Sequence, residues 1–276
     1  LTCPPYYNIE RYESVEGQLS DSKSYGEFME MIDVCATNCY RVARPGSFCV
    51  WVVADFRDGL LFEPLETKML KKKCFQHHYK KVEEKVVETA KLVISISEPI
   101  TQYFSFRYKL SNLLTLPNGY DDERGGLINF KWDNGFIHLV HTGRISSSRE
   151  SSLKSSDSFC AFIEGLKIFF KSSPQLLSRF KIHFVGSLTF KERALLSIFV
   201  NQGLVEIWGQ QPRSVALEFQ NRADCLLLIT APDQASLATG KIFEYLAANK
   251  PILAITRGTE AEKILRKTGA GVVVDP

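Results

Sequence analysis

Hydrophobic and polar positions change period along the chain. From residue 136 on, short apolar runs at 136–141, 181–185, 204–208, 225–229 and 252–255 alternate with longer stretches of helical spacing. Short runs without polar alternation predict strands buried on both faces of a parallel sheet. The stretches at 157–171, 190–201 and 213–222 predict the helices between them. The alternation predicts an α/β fold: a Rossmann-like parallel sheet flanked by helices. Upstream, 92–97 and 113–116 read as strands around a helix that runs from Glu98-Pro99 through Tyr108. Residues 65–90 are strongly charged and read as one or two exposed helices, with Met69, Leu70, Phe75, Tyr79, Val82 and Val86 as their apolar side. Residues 24–40 read as an amphipathic helix, and 48–54 as a buried strand ending at Asp55.

The most informative stretch is 236–255, which reads as loop, helix, turn and buried strand. Thr239 suits an N-cap whose hydroxyl accepts a first-turn N–H. Gly240 permits close approach to the backbone. Ile242, Phe243, Leu246 and Ala247 have helical spacing, and Asn249 and Pro251 end the helix. A helix N-terminus favours an anion, and Lys241 adds a full positive charge there. Glu244 lies one helical step along the same face. Lys241 to phosphate and Glu244 to ribose hydroxyls would suit a nucleoside diphosphate; a solvated Lys–Glu pair is the alternative. A P-loop is excluded, because Ile242 follows Gly-Lys and Ala235 stands where the earlier glycine belongs.

Composition narrows the picture modestly. At 276 residues there is room for one or two domains, and a net charge of +3 is too small to argue for nucleic acid by itself. The seven cysteines are scattered, odd in number and mostly set in apolar runs, which fits a reducing cytoplasm. Cys35 and Cys39 lack a second ligand pair, and adjacent His77 and His78 point apart on a helix, so no metal is expected. No run is long enough to span a bilayer. The basic stretch within 65–90 reads as a solvated face diluted by Glu83, Glu84 and Glu88. Peripheral contact with an anionic membrane, or with nucleic acid, is the alternative. The chain opens without methionine and stops after a strand-like run, so both ends are expected to be cuts in longer proteins.

The string ATGKIFEYLAANKPILAI, followed by EKILRKTGAGVVVDP, resembles the donor-binding half of a GT-B glycosyltransferase of the large retaining family. That family often carries two glutamates separated by seven residues. Glu244 matches the second, and Ser236 stands at the first. The resemblance covers about 55–276. It implies a nucleotide-diphosphate sugar donor of the uridine or guanosine type, no metal cofactor, and a glycan or lipid-linked acceptor. It places donor contacts at Gly143, Gln210, Ser236, Thr239, Gly240, Lys241 and Glu244. Lys241 and Arg144 are its catalytic candidates, neutralising diphosphate charge as the leaving group departs. Ser97, Glu98 and Asn118, at strand ends, are expected in the interdomain cleft. The implied division is a remnant of the acceptor domain and hinge at 59–119 and a C-terminally truncated donor-binding domain at 120–276.

Residues 1–58 resemble a different family. TCPPYYNIERYES and RVARPGSFCVWVVADFRD are similar to an amino-group DNA methyltransferase around its Pro-Pro-Tyr motif. Cys3, Pro4, Pro5 and Tyr6 match that motif, with Cys3 where Asp, Asn or Ser normally accepts the base's amine. That resemblance implies DNA and S-adenosylmethionine as partners, although no Phe-x-Gly-x-Gly cofactor loop follows. The two likenesses meet at Asp55-Phe-Arg-Asp-Gly, so the chain is expected to be a chimera. A fusion of two partial enzymes without activity is the third reading.

Overall fold

The computed structural model describes residues 73–90, 92–120, 132, 135–145, 153–230 and 238–274. Helix α1 (Lys73–Thr89) leads into strand β1 (Val93–Ser95), helix α2 (Glu98–Tyr108) and strand β2 (Leu113–Thr115). β1 and β2 pair in parallel, Val93 opposite Leu113, with α2 as the crossover between them. Val87, Val93, Ile100 and Phe104 form the core of this unit. The charged stretch departs from the solvated face expected of it: Glu83 is only 4% exposed. Its carboxylate accepts from the hydroxyls of Tyr103, at 3.3 Å, and Tyr108, and lies 3.8 Å from Arg107. Burial pushes this carboxyl up, opposed by the Tyr108 bond and Arg107. All three partners come from α2, so spacing within α1 holds no sign of them.

The second sheet has six parallel strands: β3 (Ile137–Thr142), β4 (Phe180–Val185), β5 (Val205–Gly209), β6 (Cys225–Ile229), β7 (Ile252–Ile255) and β8 (Gly271–Val273). Their spatial order is β5-β4-β3-β6-β7-β8. The chain steps outward from β3 to β5, returns to the centre at β6, and steps outward again. This is the doubly wound order, and its reversal between β3 and β6 opens a crevice at their carboxyl ends. The expected fold class is therefore the observed one.

Five helices cover the sheet: α3 (Leu153–Ser172), α4 (Phe190–Asn201), α5 (Arg213–Arg222), α6 (Gly240–Ala247) and α7 (Glu260–Thr268). Alternate strand side chains feed two cores. Leu139, Ile182, Phe184, Leu227 and Ile255 pack against Phe159, Phe162 and Ile163 of α3 and Leu196 and Phe199 of α4. Val140, Val185, Leu226, Leu228 and Ala254 pack against Phe219 of α5, Ile242 and Tyr245 of α6 and Leu265 of α7. Helix α3 starts earlier than the expected 157, because Ser155 and Ser156 sit in its first turn, where serine is well tolerated. Asn249 has φ 51, as its turn position requires. Strand β3 carries three buried polar residues, His138, His141 and Thr142, and two of them lie at its carboxyl end.

Candidate functional site

The crevice is assembled from strand ends and the first turns of two helices. After Thr142, Gly143 takes φ +79 and donates its N–H to the Val185 carbonyl of β4 at 2.7 Å. A Cβ on Gly186, at the end of β4, would stand 2.1 Å from the Gly143 carbonyl oxygen. The two glycines thus let the strand ends lie in backbone contact. A Cβ on Gly143 would meet Lys241 Cε at 3.0 Å, so the same glycine makes room for that lysine.

Lys241, in the first turn of α6, reaches across the end of β3. Its Nζ donates to the Arg144 carbonyl and lies 3.5 Å from His141 Nε2. His141 Nδ1 is 2.9 Å from the Leu227 carbonyl. A carbonyl only accepts, so Nδ1 carries the proton and Nε2 presents its lone pair to the lysine. Burial, with Lys241 beside it, lowers His141 to about 3. Burial also lowers Lys241 to about 8, against the pull of Glu244 and Glu192.

Glu244, one turn further along α6, faces two donors from α5. Arg213 Nη1 is 2.6 Å from Oε1, and Gln220 Nε2 is 3.1 Å from Oε2. The same Gln220 Nε2 lies 3.0 Å from Thr142 Oγ1. Thr142 in turn donates its N–H to the Tyr245 hydroxyl at 2.9 Å. Tyr245 is fully buried, which pushes its hydroxyl up to about 12. The residues at 142, 220, 244 and 245 therefore form one network joining β3, α5 and α6.

Two adjoining cavities open here. The smaller, about 130 Å³, is lined by Thr142, Gly143, Gln220, Lys241 and Glu244, with Arg213 among the rest. The larger, about 280 Å³, is lined by Gly119, Tyr120, Arg213, Gly240 and Glu244. Arg213 and Glu244 line both, so their ion pair stands between the two. A Cβ on Gly240 would meet nothing within 4 Å, so no protein group demands a glycine there; open cavity lies in front of it.

The sequence-predicted residues divide accordingly. Gly143, Arg144, Gly240, Lys241 and Glu244 converge. The structure uses Arg144 through its carbonyl. Lys241 and Glu244 do not make the solvated pair considered as the alternative, since each turns to other partners. Thr239 stands at the N-cap of α6, yet its hydroxyl makes no cap bond and is buried without a partner. Ala247 is exposed, and Tyr245 takes the inward position assigned to it, because residues 242 and 245 face the sheet together. Gln210 is exposed beyond β5, accepts from Ser187 Oγ at 3.4 Å, and lines neither cavity.

Upstream, Ser97 is 1% exposed at the N-cap of α2, so its side chain does not reach an open cleft. Glu98 is exposed and accepts from Thr115 Oγ1 at 3.0 Å. Asn118 is half-buried, one residue before Gly119 of the larger cavity. Ser236, Cys3, Pro4, Pro5 and Tyr6 lie outside the described residues. Sequence reasoning missed Arg213, Gln220 and His141. The available signal was a polar Gln220 beside Phe219, at an inward position of a helix that enters a core strand.

No protein-family model matches the sequence, and comparison with curated proteins finds no match. Solved structures do match. WaaG, a glycosyltransferase involved in lipopolysaccharide biosynthesis, is similar with TM-score 0.55 at 15% identity, over 94% of this chain and 72% of that one. The fold is that of the GT-B glycosyltransferases. A glycosyltransferase from Rickettsia africae gives TM-score 0.50 at 17% identity, over 74% of this chain and 53% of that one. S. aureus TarM, in a complex with fondaparinux, α-GlcNAc-glycerol and UDP, gives 0.50 at 14% identity, over 78% and 39%. This chain spans about half the length of the Rickettsia protein. These likenesses supply nothing for the methyltransferase-like reading of residues 1–58, or for a chimera. Among the described residues, no helix is long and apolar enough to cross a membrane.

Proposed function

We propose that this chain contains the donor-binding part of a glycosyltransferase, taking a nucleoside-diphosphate sugar in the crevice between β3 and β6. The observation that carries this is the pairing of Lys241 with Glu244: a cation and a carboxylate, one helical turn apart, line one cavity at the switch point of a doubly wound sheet. Lys241 is already desolvated, and its positive charge is held down by burial. A diphosphate beside it restores the favoured charged state. Gly143 gives Lys241 the room to lie over the end of β3, where a diphosphate would meet it. Glu244 takes ribose hydroxyls from the other end of the same cavity. When the sugar leaves, charge builds on the diphosphate, and a fixed ammonium stabilises it.

In this reading residues 120–276 form the donor-binding domain and 59–119 belong to the acceptor side and hinge. Gly119 and Tyr120 contribute the wall of the larger cavity, where the transferred sugar and its acceptor would meet. The acceptor class fitting this reading is a glycan or a lipid-linked sugar. TarM was solved with UDP, and uridine diphosphate is the first probe.

Thermal melts with uridine diphosphate and guanosine diphosphate test the reading. A ligand at a hundred times its dissociation constant adds about 2.7 kcal/mol of stability. The expected result is a clear shift with one of the two, lost in Lys241→Ala and in Glu244→Ala. A melt that neither nucleotide moves overturns the proposal.

A further inference from the structure

Glu244 does not hold its own position. Its helix leaves it at the mouth of the crevice, and two donors from α5 determine where its oxygens point. Arg213 is half exposed, whereas Gln220 is 1% exposed. Its amide nitrogen makes two bonds at once, to Thr142 Oγ1 at 3.0 Å and to Glu244 Oε2 at 3.1 Å. A carboxylate accepts and never donates, so the amide must face it with nitrogen; this fixes the orientation of the group. The carbonyl end, Gln220 Oε1, is then left buried without a hydrogen-bond partner. A buried acceptor in that state is costly unless an ordered water or a ligand supplies the donor.

Gln220 and Glu244 also line the same 130 Å³ cavity. At this end the cavity presents the remaining lone pairs of Glu244, which has about four in all and spends two on Arg213 and Gln220, beside the Arg213 guanidinium. At its other end is the ammonium of Lys241. A ligand that satisfies both ends carries hydroxyl donors at one end and an anion at the other.

Resting on the nucleotide reading above, we propose that Gln220 is the positioning residue of the hydroxyl-recognition end. Its Nε2 holds Glu244 in register with the end of β3, so that the carboxylate meets the ribose hydroxyls in a fixed orientation. Discrimination between ribo- and 2′-deoxyribonucleotides then depends on Gln220 as well as on Glu244.

The test is calorimetric titration of the full chain with uridine and guanosine diphosphate and with their 2′-deoxy forms. The unsubstituted chain is expected to prefer one ribonucleotide over its deoxy form by about tenfold or more, the scale of hydrogen bonds to charged groups. Gln220→Leu is expected to weaken the ribonucleotide about tenfold while moving the deoxy form less than about threefold, so the preference collapses.

Gln220→Glu preserves shape and supplies a second readout. Two carboxylates at this distance share one proton, and the shared proton replaces the amide N–H. The groups facing position 220 are Glu244, Lys241 and Tyr245 on α6, Arg213 on its own helix, and His141 and Thr142 on β3. Ribonucleotide binding by Gln220→Glu should approach normal near pH 5.5 and be lost towards pH 8, as the pair gives up its proton. Equal weakening of both sugar forms by Gln220→Leu, or a Gln220→Glu variant whose binding falls between pH 5.5 and 8 no more than that of the unsubstituted chain, overturns the inference and leaves the nucleotide site standing. Failure of the unsubstituted chain to bind any of the four overturns both.

Discussion

Two buried polar clusters sit on the same sheet and look alike until their partners are counted. One surrounds His183 on β4. The other surrounds His141 on β3. Burial lowers each histidine to about 3, helped at His183 by neighbouring His138 and Lys181 and at His141 by Lys241. In the His183 cluster the two histidines pair with each other, and Glu206 Oε2 lies 3.4 Å from His183 Nδ1. Trp208 Nε1 donates to His183 Nδ1 at 3.2 Å, so His183 Nε2 carries the proton and donates to His138 Nδ1 at 2.9 Å. Trp132 packs edge-on and Phe219 tilted against His183, with ring centroids 4.4 and 6.1 Å away. The His141 cluster stays open. It ends in a lysine held by a carbonyl and a weak imidazole contact, a carboxylate with spare lone pairs, and a buried amide oxygen without a partner. A displaced histidine pKa is therefore no mark of a site. A cavity with unspent hydrogen-bonding capacity is the better one.

The sharpest way to break the comparison is at the backbone under the open cluster. Gly186→Ala puts a Cβ 2.1 Å from the Gly143 carbonyl. Strand ends must separate, and the expected loss is on the order of 3 kcal/mol. Urea unfolding measures it, and a variant as stable as the parent would show the strand ends to be loosely held. His183→Ala comes next. It removes the imidazole to which the Trp208 N–H donates, together with buried contacts, for about 2–3 kcal/mol of stability. Nucleotide binding should not change; weaker binding would join the two clusters into one functional unit.

Lys241→Met should do the reverse. Replacing a half-buried ammonium with an apolar side chain of similar length leaves stability nearly unchanged, while nucleoside diphosphate affinity falls on the order of a hundredfold, the scale of a charge-assisted phosphate contact. Isothermal titration together with a melt separates the two effects.

The remaining predictions concern pH. Both histidines are neutral when folded, with pKa near 3, and ordinary when unfolded, near 6.5. The unfolded chain binds more protons between these values. Their contribution is therefore complete above about 6.5 and is lost as pH falls through the window, each histidine removing about 1.4 kcal/mol per pH unit within it. Replacing either with glutamine should reduce the slope of unfolding free energy against pH. At the alkaline end, Lys241 loses its proton near 8 in the free chain. Nucleotide affinity should fall between pH 7.5 and 9.5, and Lys241→Arg should flatten that decline.

Much of this architecture is written in one-dimensional pattern. Strand 225–229 is apolar without interruption because both its faces are covered, and 252–255 likewise, so their limits can be read directly. Helix α6 and its turn are legible from Gly240 to Asn249, and Lys241 and Glu244 stand out because helical geometry alone puts them on one face. Gly143 was legible as a glycine after a strand; its actual duty, room for Lys241 and contact with Gly186, was not.

What stayed hidden is whatever depends on long-range pairing. Gln220 is 24 residues from Glu244 and 78 from Thr142. Arg213 is 31 from Glu244, and Lys241 is 100 from His141. Periodicity reports which side of an element faces the core. It does not report which other element lies there. The sequence by itself determined the alternating elements, the buried strands and the charged pair on α6, because these follow from local spacing and burial. The tertiary structure decided the partners of that pair, because only the reversal between β3 and β6 brings the ends of distant strands, one side of α5 and the first turns of α6 around one cavity.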